Sequence, residues 1–260
     1  MKRTIALISL LGLVACSASP PKLPYPAYVV TDSLSDVFLA ELPGVRAKRF
    51  NADPSLRTGS YRIDLPIAWS GSSGASPGLS IEIFVLAGQL TLGDDLVLNP
   101  GGYAFLPSGS LGFNLKSYDG ARILYAVNQT HPESMIRTPL ILDSRLIEWE
   151  PTDVDGVSQK ILRSDPGSGA LTWLTRLEPG AELTWQLSLA NRESYLVAGS
   201  LDYAECFAGN AVSDAYLPGG YVYRPADVVH GGPATEIRRT AIWYSREQSA
   251  IGTSTVADCL

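Results

Sequence analysis

Few residues of this sequence are suited to acid–base or metal chemistry, and the histidines set the first limit. The 260-residue chain has two, His131 and His230, which lie in opposite halves. One copy of the chain therefore cannot supply three imidazole ligands, and the same scarcity argues against a Ser-His-Asp triad. The sequence has no G-x-S-x-G elbow, P-loop or dinucleotide fingerprint. Its 26 acidic residues allow many carboxylate pairs for glycoside hydrolysis, and spacing alone selects none.

The N-terminus has the layout of a secretory signal. Lys2 and Arg3 precede an apolar stretch at 5–14, which is too short to remain as a membrane-spanning helix. The run Leu-Val-Ala-Cys at 13–16 resembles the lipobox of bacterial lipoproteins. That resemblance implies a signal peptide that is removed and a lipid on Cys16, the first residue of the mature chain. The alternative is an ordinary signal peptide with a chance cysteine near its end.

The predicted location is the cell envelope. We expect a signal peptide at 1–15 and a Pro-rich tether at 16–33, whose four prolines keep it semi-extended. Ser17 follows the cysteine where a retention signal would have Asp, which by resemblance points to the outer membrane, facing the periplasm. No later stretch of 18 apolar residues occurs, so the lipid is expected to anchor the chain to the membrane without crossing it.

The charge balance excludes one class of partner. The chain has 20 basic and 26 acidic residues and a formal net charge of −6, and loss of Lys2 and Arg3 with the signal peptide makes it more negative. Such a surface repels phosphate backbones, and no run of Lys and Arg offsets it. We therefore expect no nucleic-acid binding.

Cys206 and Cys259 are the remaining cysteines. In an oxidising envelope they can form a disulfide that ties the C-terminal tail to the second half of the fold. The sequence leaves open whether their Cα atoms come within bonding range. A catalytic thiol is disfavoured because neither cysteine has a histidine close to it in the sequence.

The chain repeats itself in three blocks that occur in the same order in each half. Residues 44–54 reappear as 156–166, 82–88 as 193–199, and 100–107 as 218–225. We interpret this as a tandem duplication of a domain of about 110 residues. The predicted domains are 34–145 and 146–250, followed by a tail at 251–260.

Each copy is predicted to be all-β. Short stretches rich in β-branched and aromatic residues alternate with clusters of Gly, Pro, Asn and Asp, and the chain has 24 Gly and 18 Pro. No segment after residue 30 has a long, capped helical period. Many short strands of this kind predict a sandwich or a small barrel in each half.

The repeated blocks resemble the two motifs of the cupin superfamily. Gly219-x5-Pro225-x-Asp227-x2-His230 matches the second motif, Gly-x5-Pro-x-Gly-x2-His, with Asp in place of its second glycine. The run at 220–232 is similar to the ChrR-like cupins, which include an uncharacterised two-cupin family. The resemblance covers about residues 40–245 and implies two RmlC-like jelly-roll barrels in tandem.

The first cupin motif is incomplete in the second copy. Gly-x5-His-x-His-x3-4-Glu-x6-Gly maps onto a segment in which Gln186 and Ser188 replace both histidines, while Glu193 and Gly199 remain. In cupins these side chains and the second-motif histidine hold one transition metal, because residues two apart on a strand share a face. The resemblance implies Gln186, Glu193 and His230 as a weak divalent-metal set in the C-terminal cupin. In the first copy Glu82 alone remains.

Two functions and one structural role follow from this pattern. A small polar molecule would bind in the second barrel through Gln186, Glu193, Arg224 and His230, against aromatic walls. Alternatively, the predicted metal set supports a dioxygenase, isomerase or hydrolase. A structural role is the third possibility, and a homodimer is implied by resemblance. His230 can equally be a hydrogen-bonded core residue, and Glu193 can pair with an arginine.

Overall fold

The computed structural model describes residue 25 and residues 28–73, 76–110, 113–249 and 253–259. The predicted signal peptide at 1–15 and the predicted lipidation site Cys16 lie outside the described residues. Within the described part, no helix is long and apolar enough to cross a membrane. The chain enters through strand β1 (Val29–Val30) and a 3-10 turn at Thr31–Ser33, and a second 3-10 turn is at Ser144–Leu146.

The N-terminal half forms one antiparallel sheet of nine strands that curls into what we term the N-terminal barrel. Its strands are β2 (Asp36–Val37), β3 (Arg46–Asp53), β4 (Thr58–Ser73), β5 (Leu79–Gly88), β6 (Leu90–Leu92), β7 (Leu96–Leu98), β8 (Gly102–Leu106), β9 (Phe113–Gln129) and β10 (Leu140–Asp143). The sheet order is β10-β8-β5-β9-β4-β3-β2, and β6 pairs with β9 on one side and with β7 on the other.

The C-terminal half forms an eleven-stranded sheet, which we term the C-terminal barrel. Besides β1, it contains β11 (Glu150–Pro151), β12 (Val157–Ser164), β13 (Leu171–Leu177), β14 (Gln186–Ser188), β15 (Arg192–Phe207), β16 (Asn210–Tyr216), β17 (Gly220–Arg224), β18 (Val228–His230), β19 (Glu236–Glu247) and β20 (Thr253–Thr255). The strand order is β11-β12-β13-β19-β15-β18-β14-β20. The motif residues Glu193, His230 and Gln186 are on the neighbouring strands β15, β18 and β14. The prediction of an all-β protein is confirmed.

The repeated glycines occupy matching, conformationally special positions. Gly88 and Gly199 both have positive φ, +72° and +83°, at the end of the repeated apolar strand segment. A Cβ on Gly88 would collide with the backbone of Gly120, and one on Gly199 would collide with that of Thr240. Only glycine combines this backbone conformation with so close an approach of a second strand, which explains why both copies retain it.

Strand alternation divides the core into layers. On β5, Ile81 and Ile83 join the aliphatic interior of the N-terminal barrel, whereas Phe84 packs against the other half of the chain. On β15, Leu196 lies in the C-terminal barrel and Tyr195 points to the N-terminal half. The two barrels therefore share an interbarrel cluster: Phe84, Tyr103, Phe105, Leu124, Leu162, Leu174, Tyr195, Tyr221 and Tyr244.

The end of the predicted tether is part of the fold. Val29 and Val30 pair with Tyr221 and Gly220 of β17. The folded part therefore begins by residue 29, before the predicted end of the tether at residue 33. The two valines are β-branched and follow the last proline of the tether, so they can pair with an open strand edge. Tyr28 strengthens the attachment by stacking on Tyr216, with ring centroids 4.3 Å apart.

The C-terminal tail also returns to the C-terminal barrel. Strand β20 pairs with β14, where Thr255 is opposite Gln186 and Thr253 is opposite Ser188. A disulfide joins Cys259 to Cys206 at the end of β15, with their Cα atoms 5.4 Å apart. The tail therefore covers the free edge of the strand that carries both replaced histidine positions.

Candidate functional site

The C-terminal barrel contains a cavity of about 390 Å³ that is partly open to solvent. Alternation decides which side chains reach it: on β15, Arg192 and Ser194 line the cavity, while the residue between them faces away. Aromatic walls come from Trp173, Tyr203 and Trp243, and β14 contributes Gln186. The polar and charged residues at the cavity wall are Thr152, Asp153, Gln159, Thr175, Thr184, Gln186, Arg192, Ser194, Arg224, Ser245, Glu247 and Thr255.

Gln186 and Arg224 of the predicted site line this cavity. The register of β14 and β18 places Gln186 directly opposite His230, so both side chains are on the same face. No described residue forms a hydrogen bond with the carboxamide of Gln186, which leaves it available to a ligand.

His230 lies behind the cavity wall and is fully engaged. Its Nε2 is 2.9 Å from Ser188 Oγ, and its Nδ1 is 2.8 Å from the Tyr203 hydroxyl. Burial lowers the pKa of His230 well below 6.5, and the guanidinium groups of Arg224 and Arg192 lower it further. The imidazole is therefore neutral, donating one of these hydrogen bonds and accepting the other.

A buried ion pair fixes Arg224. Its Nη2 donates to Glu205 Oε1 at 2.6 Å and its Nε to the same oxygen at 3.1 Å. Tyr25 and Tyr216 donate their hydroxyl hydrogens to the same carboxylate, both at 3.2 Å. The guanidinium carbon also lies 4.7 Å from the ring centroid of Tyr203. The arrangement holds Arg224 rigidly at the cavity wall.

Glu205 and the ion pair of Arg192 with Glu247 are not among the site residues predicted from the sequence. Glu205 follows Leu201 and Tyr203 at alternate positions, a signal that would have placed it inside the barrel. Arg192 Nε donates to Glu247 Oε1 at 2.8 Å, and the guanidinium lies 5.2 Å from the ring centroid of Trp173. These contacts join residues 55 positions apart, which no spacing rule would connect.

Glu193 is not part of this cavity, which corrects its predicted position. It follows Arg192 on β15 and so points to the opposite face of the strand. There its Oε1 accepts a hydrogen bond of 2.9 Å from Arg246 Nη2. The predicted metal set of Gln186, Glu193 and His230 is therefore split between two faces of one sheet.

Glu82, the counterpart of Glu193 in the first copy, meets the same arginine. Arg246 Nη1 lies 3.1 Å from Glu82 Oε2, and Arg163 Nε lies 3.3 Å from Glu82 Oε1. Burial acts to raise the pKa of Glu82, but the charges of Arg163 and Arg246 outweigh it and lower the pKa to about 2. Both motif glutamates thus belong to the interface between the barrels.

The chain matches a family model over most of its length. Residues 45–252 match the family DUF4437, described as a domain of unknown function. The chain belongs to the DUF4437 family. No curated protein is detectably similar to this DUF4437 member in sequence.

Solved structures similar to this DUF4437 chain include three of interest. A candidate dioxygenase from Nostoc punctiforme has 19% identity and a TM-score of 0.69, covering 88% of this chain and 86% of its own. Ylba from E. coli, of family DUF861, has 16% identity and a TM-score of 0.69, with coverages of 86% and 92%. Oxalate decarboxylase from Bacillus subtilis, an enzyme with Mn(II) centres, has 12% identity and a TM-score of 0.63, with coverages of 91% and 81%. These likenesses show the fold, and the predicted cupin jelly-roll barrels are confirmed.

The side chains of this DUF4437 member do not fit the metal that its fold family implies. Both ring nitrogens of His230 are hydrogen-bonded, and Glu205, the carboxylate opposite it on β15, is held by Arg224 and two tyrosines. The described residues contain no group of three or more His, Cys, Asp or Glu that could hold a metal ion. An ion would have to displace several of these contacts to gain one imidazole and an amide oxygen, a weak donor set.

The N-terminal barrel of this DUF4437 chain lacks a comparable polar interior. Its strands fill the barrel with Ile81, Ile83, Ala104, Leu106 and other buried aliphatic side chains. A cavity of about 380 Å³, as open to solvent as the C-terminal one, lies between β2, β3, β4, β5 and β9, and Glu41, Arg49 and Arg57 are among its lining residues. The two copies have therefore diverged at the ligand positions: the first keeps Glu82 alone, and the second keeps several polar groups.

Proposed function

We propose that this DUF4437 member binds a small polar molecule in the cavity of its C-terminal barrel. The observation that carries the proposal is the combination of a volume of about 390 Å³ with aromatic side chains and a largely polar wall. Cavities of this size are typical of small-molecule sites, and the polar wall favours a polar ligand.

The polar groups in the cavity differ in their availability. Ser194 and Ser245 form a mutual hydrogen bond of 2.8 Å, and Thr175 accepts one of 3.0 Å from Trp173 Nε1. The side-chain carboxamides of Gln159 and Gln186 form no hydrogen bond with any described residue, although both side chains line the wall. Free carboxamides in a partly buried site favour a ligand that offers both donors and acceptors, because a ligand that shields them from water without pairing them leaves a costly unmade hydrogen bond.

The charged groups support binding by being fixed in advance. Glu205 and Glu247 hold Arg224 and Arg192 in single orientations. A ligand would not have to order these long side chains, so the entropy cost of recognition is reduced. The metal-dependent enzyme is the weaker candidate, because the residues that would hold the ion are not brought together.

We also propose that the protein is a lipoprotein of the cell envelope, anchored through Cys16 to the outer membrane and facing the periplasm. The basic residues, apolar run and lipobox-like sequence at 1–16 support this location. The disulfide between Cys206 and Cys259 is consistent with an oxidising compartment. Metabolic labelling with a radioactive fatty acid tests the anchor, and loss of label in Cys16→Ser is the expected result. A homodimer stays a prediction.

Metabolite capture tests the binding proposal. The mature lipoprotein, solubilised in detergent, is incubated with a cell metabolite extract, desalted and examined by mass spectrometry after denaturation. We expect a compound retained in near-stoichiometric amount by the wild type and reduced at least about tenfold by Gln186→Leu and by the cavity-filling variant Gln159→Phe.

Gln89→Leu serves as the matched control, because Gln89 is exposed on the N-terminal barrel, where it donates to Asn99. It should retain the compound like the wild type. Capture of no compound, or equal capture by all three variants, would contradict binding in this cavity.

A further inference from the structure

We infer that the C-terminal cavity selects an uncharged ligand that carries both a hydrogen-bond donor and an acceptor, such as a carboxamide. This inference rests on the proposed function and adds the chemical class of the ligand. It follows from one arrangement: each of the two guanidinium groups at the cavity, those of Arg192 and Arg224, is already paired with a carboxylate of the barrel.

The first of these pairs is sealed from solvent. The side chains of Arg224 and Glu205 are 4% and 2% exposed, and their closest atoms are 2.6 Å apart. Tyr25 and Tyr216 complete the surroundings of the carboxylate by donating to it. The positive charge of Arg224 is thus compensated before any ligand arrives.

The second pair repeats the pattern on the neighbouring strands. Arg192 and Glu247 are opposite each other on β15 and β19, and the carboxylate side chain is 3% exposed. Asp153 is the remaining charged residue of the wall, and it is exposed to solvent. His230, behind the wall, is held by Ser188 and Tyr203 as a neutral imidazole. The buried charges of the two guanidinium groups and their two carboxylate partners therefore sum to zero.

The hydrogen-bonding groups that remain are of mixed type. Glu205 occupies Nε and Nη2 of Arg224, and within the described part of the chain its Nη1 has no hydrogen-bond partner. This nitrogen can donate, while the carboxamides of Gln159 and Gln186 can each donate and accept. Together they match a ligand with a carbonyl or hydroxyl oxygen next to an N–H or O–H group.

A charged ligand would disturb this balance. An anion would bring an uncompensated negative charge close to Glu205 and Glu247, and a cation would bring a positive one close to two guanidinium groups. Because these ion pairs are themselves buried, either excess charge placed against them is costly. A neutral ligand with the same shape avoids that penalty and still satisfies the free polar groups.

Three probes of nearly identical shape test the inference: benzamide, benzoate and benzamidine, which are neutral, anionic and cationic at pH 7. Each is titrated into the detergent-solubilised mature protein and followed by ligand-observed NMR. We expect benzamide to bind at least about tenfold more tightly than the other two, and Gln186→Leu to weaken it. Tightest binding of benzoate or benzamidine, or binding of none of the three, would overturn the inference.

Removing a countercharge should reverse the preference. Glu205→Gln keeps the shape of the side chain but leaves Arg224 uncompensated, so benzoate should gain at least about tenfold and raise the Tm of the variant more than that of the wild type. Glu247→Gln is the second variant if the first does not fold. Glu236→Gln, at an exposed position, should leave the order of the three probes unchanged.

Failure of the inference is distinct from failure of the proposed function. If benzoate bound most tightly of the three probes and Gln186→Leu abolished that binding, the cavity would still be a ligand site. The inference that its ligand is uncharged would be wrong. A charged compound captured from the metabolite extract would have the same meaning.

Discussion

His230 has exchanged a metal-binding role, implied by the motif it belongs to, for hydrogen bonding. Ser188 stands where the first cupin motif has its second histidine, and its hydroxyl lies 2.9 Å from His230 Nε2. Tyr203 lies 2.8 Å from the other ring nitrogen. A neutral imidazole meets both neighbours without any ion, because it has one donor and one acceptor. The side chain that most resembles a metal ligand is therefore a buried core residue behind the cavity wall.

The buried imidazole makes stability depend on pH below about 6.5. Because burial lowers the pKa of His230 in the folded state, the unfolded chain binds a proton near pH 6.5 while the folded chain does not. The stability is complete above pH 6.5 and falls as the pH is lowered from there, by at most roughly 1.4 kcal/mol per pH unit. Urea unfolding at pH 7.5, 6.5, 5.5 and 5.0 measures the slope.

His230→Gln should flatten that slope, although it lowers stability at every pH. His131→Gln, outside the barrels' motif strands, is the control and should keep the wild-type slope. A slope in His230→Gln equal to that of the wild type would show that other groups cause the pH dependence.

At the scale of elements, the position of strand β14 depends strongly on the two strands beside it. It has three residues, lies between β18 and β20, and carries Gln186 and Ser188. Its pairing with β20 is supported by a hydrogen bond of 3.0 Å from Val256 N to Trp185 O and by the disulfide of Cys259. A strand this short has few ladder hydrogen bonds of its own, so the covalent link beyond β20 contributes to keeping Gln186 in place.

Cys259→Ser should therefore loosen β14 as well as the tail. The disulfide closes a segment of 53 residues, and its loss should lower the free energy of unfolding by about 2–4 kcal/mol. Hydrogen exchange should accelerate at Leu187 and Ser188, whereas the amides of β5 in the N-terminal barrel should keep the wild-type protection. Unchanged exchange in β14 would show that β20 pairs without the disulfide.

The limits of sequence reasoning are clearest at Glu193 and Glu205. The fold can be predicted from the repeated blocks, the glycines and the alternation of apolar residues. These features depend on the local geometry of strands and turns, which is the same in both copies. Glu193 aligns with the cupin glutamate, yet one residue along a strand reverses the face to which a side chain points. Its partner Arg246 is on β19. The pairing of β15 with β19 joins segments about 50 residues apart, so no local sequence pattern predicts it.

On the scale of the whole molecule, Arg246 connects the two copies. Its Nη1 contacts Glu82 of the N-terminal barrel and its Nη2 contacts Glu193 of the C-terminal barrel. Asn128 Oδ1 accepts a further hydrogen bond of 2.9 Å from Nη1. The motif glutamates of both copies are thus bound by one guanidinium, surrounded by the interbarrel cluster.

Arg246→Leu should uncouple the barrels. It leaves Glu82 and Glu193 without this partner in a buried interface, an arrangement that typically costs about 3–5 kcal/mol. We expect a lower Tm and a calorimetric transition that separates into two, since each barrel has its own apolar core. Arg238→Leu, which removes an exposed pair with Asp202, is the control and should shift the Tm little. A single, unshifted transition in Arg246→Leu would contradict this role.

The attachment of the N-terminal segment to the C-terminal barrel determines how far the protein can reach. Tyr25 donates to Glu205 at 3.2 Å, and β1 continues along β17. With the lipid on Cys16 as proposed, the leash has nine residues and extends at most about 30 Å. The C-terminal barrel is then the one held near the bilayer, and its cavity would sample molecules from the layer of periplasm next to the membrane.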